Sequence, residues 1–380
     1  MRAFLKTTET FAPGALSLPG RYYTDQDVFA AEREAIFASH WTCVGRAEEI
    51  ENPGDFFLTR IAGESVIVLR DDDGHARAFY NVCRHRGTTI GVNDSGNLSG
   101  RLRCPYHGWT YDLKGRLMAA PLMDEVPEFD ASAYPLHSIP VEVCEGFIFI
   151  TLAEQPQPFA EAVETHLANF RPWALSELRA ARRIEYDVAA NWKIIIENYS
   201  ECYHCPLVHP EFTRKVHPRS GRNDGVEGPL LGGFMSLKDG AASLTRTGAR
   251  CGPTLGTVAG EDLGRVYFYA LFPNMTISLH PDYVMTFTLR PIDAGRTTVR
   301  SEWLFSKTAL AQNSCLPDEA VQFWDGTNRE DWTICALLQQ GVRSRSYRPS
   351  PLSSTESLPA AFDRHLLRAL EAADGFSAST

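Results

Sequence analysis

Two short Cys/His pairs carry the residue types best suited to holding an inorganic centre. In NVCRHRGTTIGVNDSGNLSGRLRCPYHGW (81–109), one residue separates Cys83 from His85 and two separate Cys104 from His107, with a Gly/Asn/Ser-rich loop between the pairs. Pairs delivered by two hairpin tips can close around a single centre. Zinc would accept two thiolates and two imidazoles, although this spacing is not one of the common finger patterns. A two-iron, two-sulfide cluster of mixed ligation places two thiolates on one iron and two imidazoles on the other, so each pair would give one ligand to each iron. A second set, Glu201, His204 and His209, lies in ENYSECYHCPLVHP (197–210). Two imidazoles and a carboxylate on one face of an iron leave positions open for O2 and substrate.

The elements around these residues fall into three stretches. After a Pro/Gly-rich lead, Thr24 is expected to cap a helix, TDQDVFAAEREAIFASHW, whose large apolar residues Val28, Phe29, Ile36 and Phe37 fall within one half of its circumference. From Trp41 to about Ala153 short β-rich runs alternate with turn residues: SVIVLR (65–70), ARAFYNV (76–82), RLRCPYH (101–107) and GFIFITL (146–152) read as strands. Pro/Gln-rich EQPQP (154–158) marks a boundary. Beyond it come a helix at 159–170, a strand RRIEYDV (182–188) and the second ligand segment. Polar, Gly-rich connections (218–264) lead to three strands, RVYFYALFP (265–273), YVMTFTLRP (283–291) and TTVRSEWLFS (297–306). Helical patterns follow at 317–341 and 357–373, and the terminal GFSAST is expected to fray. On a regular helix His204 and His209, five apart, would diverge by about 140°; Pro206 between them is expected to bend the backbone and let them converge.

Composition narrows the class. With 380 residues, two or three domains are expected. Hydrophobic residues at 44% and charged residues at 22% describe an ordinary globular chain, and a net charge of −10 gives no reason to expect binding to nucleic acid or an anionic membrane. No run approaches a membrane span, and the N-terminal stretch lacks the apolar core of a secretory signal. Five of the nine cysteines (Cys43, Cys144, Cys251, Cys315 and Cys335) are scattered singly, which fits a reduced, cytoplasmic protein. Cys202 and Cys205 form a CxxC that admits a redox or zinc reading, but without a second CxxC both are expected to be reduced thiols beside the metal-binding segment. No GxGxxG or Walker-type loop is present, so the chain is not expected to bind NAD, FAD or ATP itself.

With Arg86-Gly87 after the first pair, and Pro105-Tyr106 and Gly108-Trp109 around the second, the chain resembles the oxygenase (alpha) component of Rieske non-haem iron oxygenases. The eighteen residues between His85 and Cys104 are slightly more than is usual for the family, and the excess falls in a loop (91–100) that tolerates length. The resemblance implies an α+β protein: a helical lead (1–40), an all-β Rieske 2Fe-2S domain (41–155), and a larger helix-grip catalytic domain with an antiparallel sheet (156–380) that holds mononuclear Fe(II). It also implies that Cys83, His85, Cys104 and His107 hold the cluster. His204 and His209, which taken alone would more often be structural or solvated than ligands, then hold the iron with a downstream carboxylate, Asp331, for which Asp325 competes. Glu201 becomes the bridge that passes electrons from the cluster ligand His107 of a neighbouring subunit within a homotrimer. Partners implied are a flavin/iron-sulfur reductase fed by NAD(P)H, O2 and a small-molecule substrate. Glu at position 201, the segment ECYHC, Phe79-Tyr80-Asn81 and FWDGTNREDW most resemble monooxygenases that demethylate betaines and carnitine-like compounds. A cationic substrate of that kind would want aromatic walls, for which Phe272, Tyr283 and Phe287 are candidates unless they are plain core. Dihydroxylation of an aromatic ring, a non-catalytic Rieske electron carrier and a zinc-stabilised binding protein are the alternatives.

Overall fold

The computed structural model describes residues 3–372; GFSAST (375–380), expected to fray, and Ala373 of the expected last helix lie outside the described residues. The chain folds as two compact units. One is Phe37–Phe159, and the other joins the chain up to Ile36 to the chain from Ala160 onward.

The Phe37–Phe159 unit is built from three small antiparallel sheets. Five strands run in the order Ser138–Ile139, Ala76–Tyr80, Glu64–Arg70, Asp55–Ile61, Ser95–Asn97. Three more (Val141–Cys144, Phe147–Ile150, Thr42–Arg46) form a second sheet, and Arg101–Arg103, Thr110–Asp112 and Leu117–Ala119 a third. The unbroken apolar run Val66-Ile67-Val68-Leu69 has no polar alternation because both faces of that strand are fully covered. The strand expected over 101–107 stops at Arg103, because Cys104 opens a turn in which its carbonyl accepts from the Gly108 N–H (3.2 Å).

The larger unit is organised on one eight-stranded antiparallel sheet. Its order is Leu5–Lys6, Arg222–Gly225, Leu230–Ser236, Arg265–Leu271, Met275–Leu279, Val284–Asp293, Arg296–Ser306, Leu178–Val188. Two of these strands lie inside the segment read as Gly-rich connection, and Met275–Leu279 was likewise not anticipated. Gly233 explains part of this: a Cβ there would sit 1.8 Å from the Arg222 carbonyl oxygen, so the neighbouring strand can approach only glycine. The N-terminal helix breaks after Thr24, and Asp25 rather than Thr24 caps its main part, Gln26–Glu32, by accepting from the Asp27 N–H (2.8 Å). Helix Trp192–Tyr199 is capped by Asn191, whose own N–H donates to Gln339 Oε1 (2.8 Å) on the long helix Pro317–Gly341. That bond ties together the two helices that lead into the second ligand set. Among the described residues no helix is long and apolar enough to cross a membrane.

Candidate metal centres

Cys83 and Cys104 open two turns of the same construction. In each, the cysteine carbonyl accepts from a glycine N–H four residues on (Gly87, 3.0 Å; Gly108, 3.2 Å), and the cysteine N–H donates to the next carbonyl (Thr88, 2.8 Å; Trp109, 2.8 Å). Gly87 and Gly108 have φ of 73° and 74°, left-handed values at which a side chain would be strained. The thiols point inward, into a core that includes Phe79, Ile90, Leu102, Trp109 and Tyr111, whereas His85 and His107 are exposed. The two imidazoles lie 4.6 Å apart, His85 stacked on Trp109 (4.9 Å, 6°) and His107 against Tyr106 (3.7 Å). The four side chains are thus drawn together as a thiol pair and an imidazole pair, the pairing a mixed-ligand cluster needs. Burial raises the Cys83 thiol, which disfavours its free thiolate; a bound metal would favour that form. Burial, then His107 and Arg86, lower His85, which keeps it in the neutral, ligating form.

Two supports of this region were missed in the sequence. The Tyr111 hydroxyl lies 3.4 Å from Cys83 Sγ and accepts from the Arg84 N–H (3.1 Å). The buried Asn81 side chain accepts from Ile90 N (3.0 Å) and Gly91 N (2.8 Å) and donates to Gly91 O (3.0 Å), pinning the base of the first turn. Asn81 stood out in the sequence only as part of Phe79-Tyr80-Asn81, and its place two residues before Cys83 was the clue to this supporting role. Tyr111 gives no local sign.

In the larger unit, His204 Nε2, His209 Nε2 and Asp331 Oδ1 form a triangle with sides of 3.1, 2.9 and 3.4 Å. Donors at right angles on a metal with bonds of about 2.1 Å stand about 3 Å apart, so the triangle has the dimensions of one octahedral face. These three residues could hold a metal ion. The bend that brings the imidazoles together is not at Pro206. Pro206 sits in the first turn of helix Cys205–Val208, where it is tolerated, and the break comes at His209 (φ −118°, ψ 72°), which Pro210 keeps out of the helical region. Asp325 is elsewhere engaged, accepting from the Tyr186 hydroxyl (2.7 Å) and Arg329 Nε (3.0 Å).

Each imidazole has its second nitrogen on a carboxylate: His204 Nδ1 on Glu201, and His209 Nδ1 on Glu330 Oε2 at 2.7 Å. Such partners fix ring orientation and raise ligand basicity. The role of Glu330 was not foreseen, and adjacency to Asp331 was its one local clue. Burial opposes charge on His204, but Asp331 and Glu201 outweigh it and raise the ring to about 10. Burial likewise opposes charge on His209, which Asp331 and Glu330 raise. Asp331 is lowered because its hydrogen bonds to both rings overcome the effect of burial. The expectation of two reduced thiols beside these ligands is not met. Cys202 and Cys205 are joined by a disulfide, their Cα atoms 4.9 Å apart, because the turn between Glu201 and the following helix brings both sulfurs to one side.

The three aromatic candidates do not form one cage. Phe287 lies between Tyr199 (5.8 Å) and Trp332 (5.6 Å), under the long helix. Tyr283 is buried, its hydroxyl donating to Leu244 O and accepting from Trp324 Nε1 (2.7 Å). Phe272 packs instead against Trp192, Phe362 and His365. A ring the sequence did not single out, Phe212, lies 6.3 Å from His209 and packs in turn on Phe268 (6.3 Å) and Trp324 (6.0 Å).

Comparisons with known proteins agree with the two units. Residues 40–130 match the Rieske [2Fe-2S] domain, and residues 175–372 match the ring hydroxylating alpha subunit (catalytic domain). The carnitine monooxygenase oxygenase subunit of Escherichia coli K12 is 38% identical over 343 residues, spanning 88% of this chain and 86% of that protein. The glycine betaine monooxygenase oxygenase subunit of Pseudomonas aeruginosa is 32% identical over 372 residues (90% and 86%). The crystal structure of the quaternary ammonium Rieske monooxygenase CntA in complex with L-carnitine superposes with a TM-score of 0.77 at 26% identity, covering 95% of this chain and 98% of that one. With a thiol and imidazole pair in one unit and an iron-sized triangle in the other, the chain belongs to the Rieske oxygenases, as an α+β oxygenase component that takes a Rieske 2Fe-2S cluster and a mononuclear iron.

Proposed function

We propose that this chain oxidatively demethylates a betaine-like quaternary ammonium compound, such as glycine betaine, proline betaine or a carnitine-like molecule. The triangle of His204, His209 and Asp331 carries the oxygenase part of this reading, because an iron held by these three residues would keep positions for O2 and substrate. The substrate class is supported by the likeness to glycine betaine and carnitine monooxygenase subunits. Cys83, His85, Cys104 and His107 would hold the cluster, and His204, His209 and Asp331 the iron. When bound, these centres supply single electrons and activate O2. The electrons come from NAD(P)H through a flavin/iron-sulfur reductase.

The chain's own side chains do the positioning. Glu330 and Glu201 orient the two imidazoles, and Phe212, Phe268 and Trp324 supply apolar walls beside them. The trimethylammonium substrate, O2, two electrons and two protons give the dimethylammonium product, formaldehyde and water. The N-methyl C–H is hydroxylated, and the resulting carbinolamine releases formaldehyde by C–N cleavage. Glu201 also serves as the bridge to His107 of a neighbouring subunit in a homotrimer. Its exposed neighbours Tyr203 (66%) and Leu207 (90%) offer an apolar surface for that contact.

The test is a reconstituted reaction with a Rieske reductase and NADH. Formaldehyde should form in step with O2 consumption on glycine betaine or carnitine, and aromatic acids should yield no cis-diol. Cis-diol without formaldehyde would establish the ring-hydroxylating alternative.

A further inference from the structure

The sheet face beneath the long helix holds buried hydrogen-bonding atoms that find no partner among the described residues. They are Ser301 Oγ and Trp303 Nε1, together with Asn328 Nδ2, which faces the Tyr186 hydroxyl without closing a hydrogen bond on it, and with Trp332 Nε1 and both ring nitrogens of His280 nearby. Ser301 and Trp303 are 0% exposed and Asn328 1%. Leaving such groups unpaired costs about 1–3 kcal/mol each, so several on one face require an explanation.

Their placement is not scattered. Ser301 lies directly across from Phe287, and Trp303 from Met285, so both side chains share the Phe287 face. Met285 in turn faces Ser278, and Ser278 faces Phe268. This is therefore the face on which Phe268 meets Trp324 and Phe287 meets Trp332 and Tyr199. Asn328 comes down from above, one turn before Asp331 and one turn after Trp324 on the same helix. The layer between sheet and helix thus carries both the aromatic side chains that run from Phe268 through Phe212 to His209 and the unpartnered donors of Ser301, Trp303 and Asn328.

The chemistry of these donors is specific. Trp303 Nε1 and Asn328 Nδ2 can only donate, and Ser301 can donate. Neutral donors suit a carboxylate best when its charge is balanced within the ligand, as it is in a zwitterion whose quaternary nitrogen lies a few atoms away.

We infer that Ser301, Trp303 and Asn328 hold the carboxylate of the substrate and so place its N-methyl groups among the aromatic side chains that lead to the iron ligands. This rests on the betaine reading above and deepens it. A carboxylate-bearing substrate would be selected over its ester or alcohol analogue, because only the charged oxygens accept strongly from all three donors.

The experiment compares glycine betaine and L-carnitine with their methyl esters, following formaldehyde release by the reconstituted enzyme, for wild type, Trp303→Phe and Asn328→Leu. Iron and acid-labile sulfide content, measured on each variant, shows that the protein has folded and is loaded. The wild type should prefer the carboxylate in kcat/KM. Each substitution should erode that preference by about 10- to 100-fold, chiefly through KM. Equal loss on acid and ester, no loss on either, or a wild type indifferent to esterification would each overturn the carboxylate assignment while leaving demethylation intact. A wild type that releases formaldehyde from none of the four compounds overturns the betaine reading and this inference together.

Discussion

Cys83, His85, Cys104 and His107 lie within 25 residues on two turns built alike, while Asp331 reaches His209 across 122 residues of chain. The imidazoles of the two sites are also held differently. At the cluster they are exposed and rest on aromatic rings; at the triangle each is fixed through its second nitrogen by a carboxylate. A histidine packed only against rings at the surface keeps a nitrogen available to an outside partner, which suits electron exit. A histidine clamped by a carboxylate keeps its orientation when a coordination position is open, which suits O2 chemistry. The cluster site is a local structure that needs its own small core, whereas the iron site is a tertiary structure that needs two helices held in register.

The sharpest way to break this contrast is to remove one ligand from each site. Asp331→Ala should abolish turnover, lowering iron from about three to about two per chain while leaving the sulfide content and cluster spectrum unchanged. Cys104→Ser should bleach the cluster and also abolish turnover. Because Cys104 is a member of the hydrophobic core, it should destabilise the Phe37–Phe159 unit as well. If Asp331→Ala also bleached the protein, the two centres would not be independent. Iron and sulfide assays with visible absorbance decide the point.

The same contrast explains what could be read from the sequence. The meeting of Cys83, His85, Cys104 and His107 was legible because spacing and turn glycines sit in one stretch, and so was the approach of His204 to His209. Asp331 was reachable only through family resemblance, since nothing local separates it from Asp325; what does so is the hydrogen bond each makes after folding. Glu330 was illegible for the same reason, and Tyr111 reaches Cys83 only through the fold. Pro206 was given the bend that belongs to Pro210, because helix boundaries decide which proline breaks and which is tolerated. The strands at 222–236 were missed because glycine reads as connection, whereas here it permits close strand approach.

Two carboxylates sharpen the comparison further. Glu330→Gln keeps the shape of the side chain but withdraws charge from His209, and should loosen iron about 10- to 100-fold against a chelator, with turnover restored by added Fe(II). Glu201→Gln should loosen iron similarly, but turnover should stay low when iron is restored if the proposed bridge to His107 of a neighbouring subunit is also impaired. In a single-turnover experiment on the iron-replete Glu201→Gln protein, the reduced cluster should remain reduced. Rapid reoxidation would remove Glu201 from the electron route.

The smallest expected effect concerns pH, and here the two units should respond in opposite directions. In the cluster unit the buried carboxylate Asp71 is lowered: burial opposes this, but Arg77 Nε (2.8 Å) and the N–H groups of Asp73 and His75 prevail. Its contribution is present above the unfolded value near 3.8 and is lost as pH falls through the folded one. In the larger unit Glu197 is faced by the Tyr23 hydroxyl (2.9 Å), Lys193 and Asp363, with Glu32 on the far side of Lys193 and Cys335 approaching from the long helix. Burial pushes Glu197 up to about 7 despite those partners, and burial with the neighbouring Glu197 charge raises Asp363 as well. The folded state therefore holds a proton that the unfolded chain releases near 4.5, so stability is fully present below that value and declines as pH rises toward 7. Glu197→Gln should flatten that decline, by roughly 1–3 kcal/mol across the interval. It should leave untouched the acid loss that belongs to Asp71. Thermal unfolding of wild type and Glu197→Gln from about pH 2 to about pH 8, with Asp71→Asn as the counterpart, measures both arms. An Asp71→Asn protein that flattened the neutral arm instead would place the titrating group in the wrong unit.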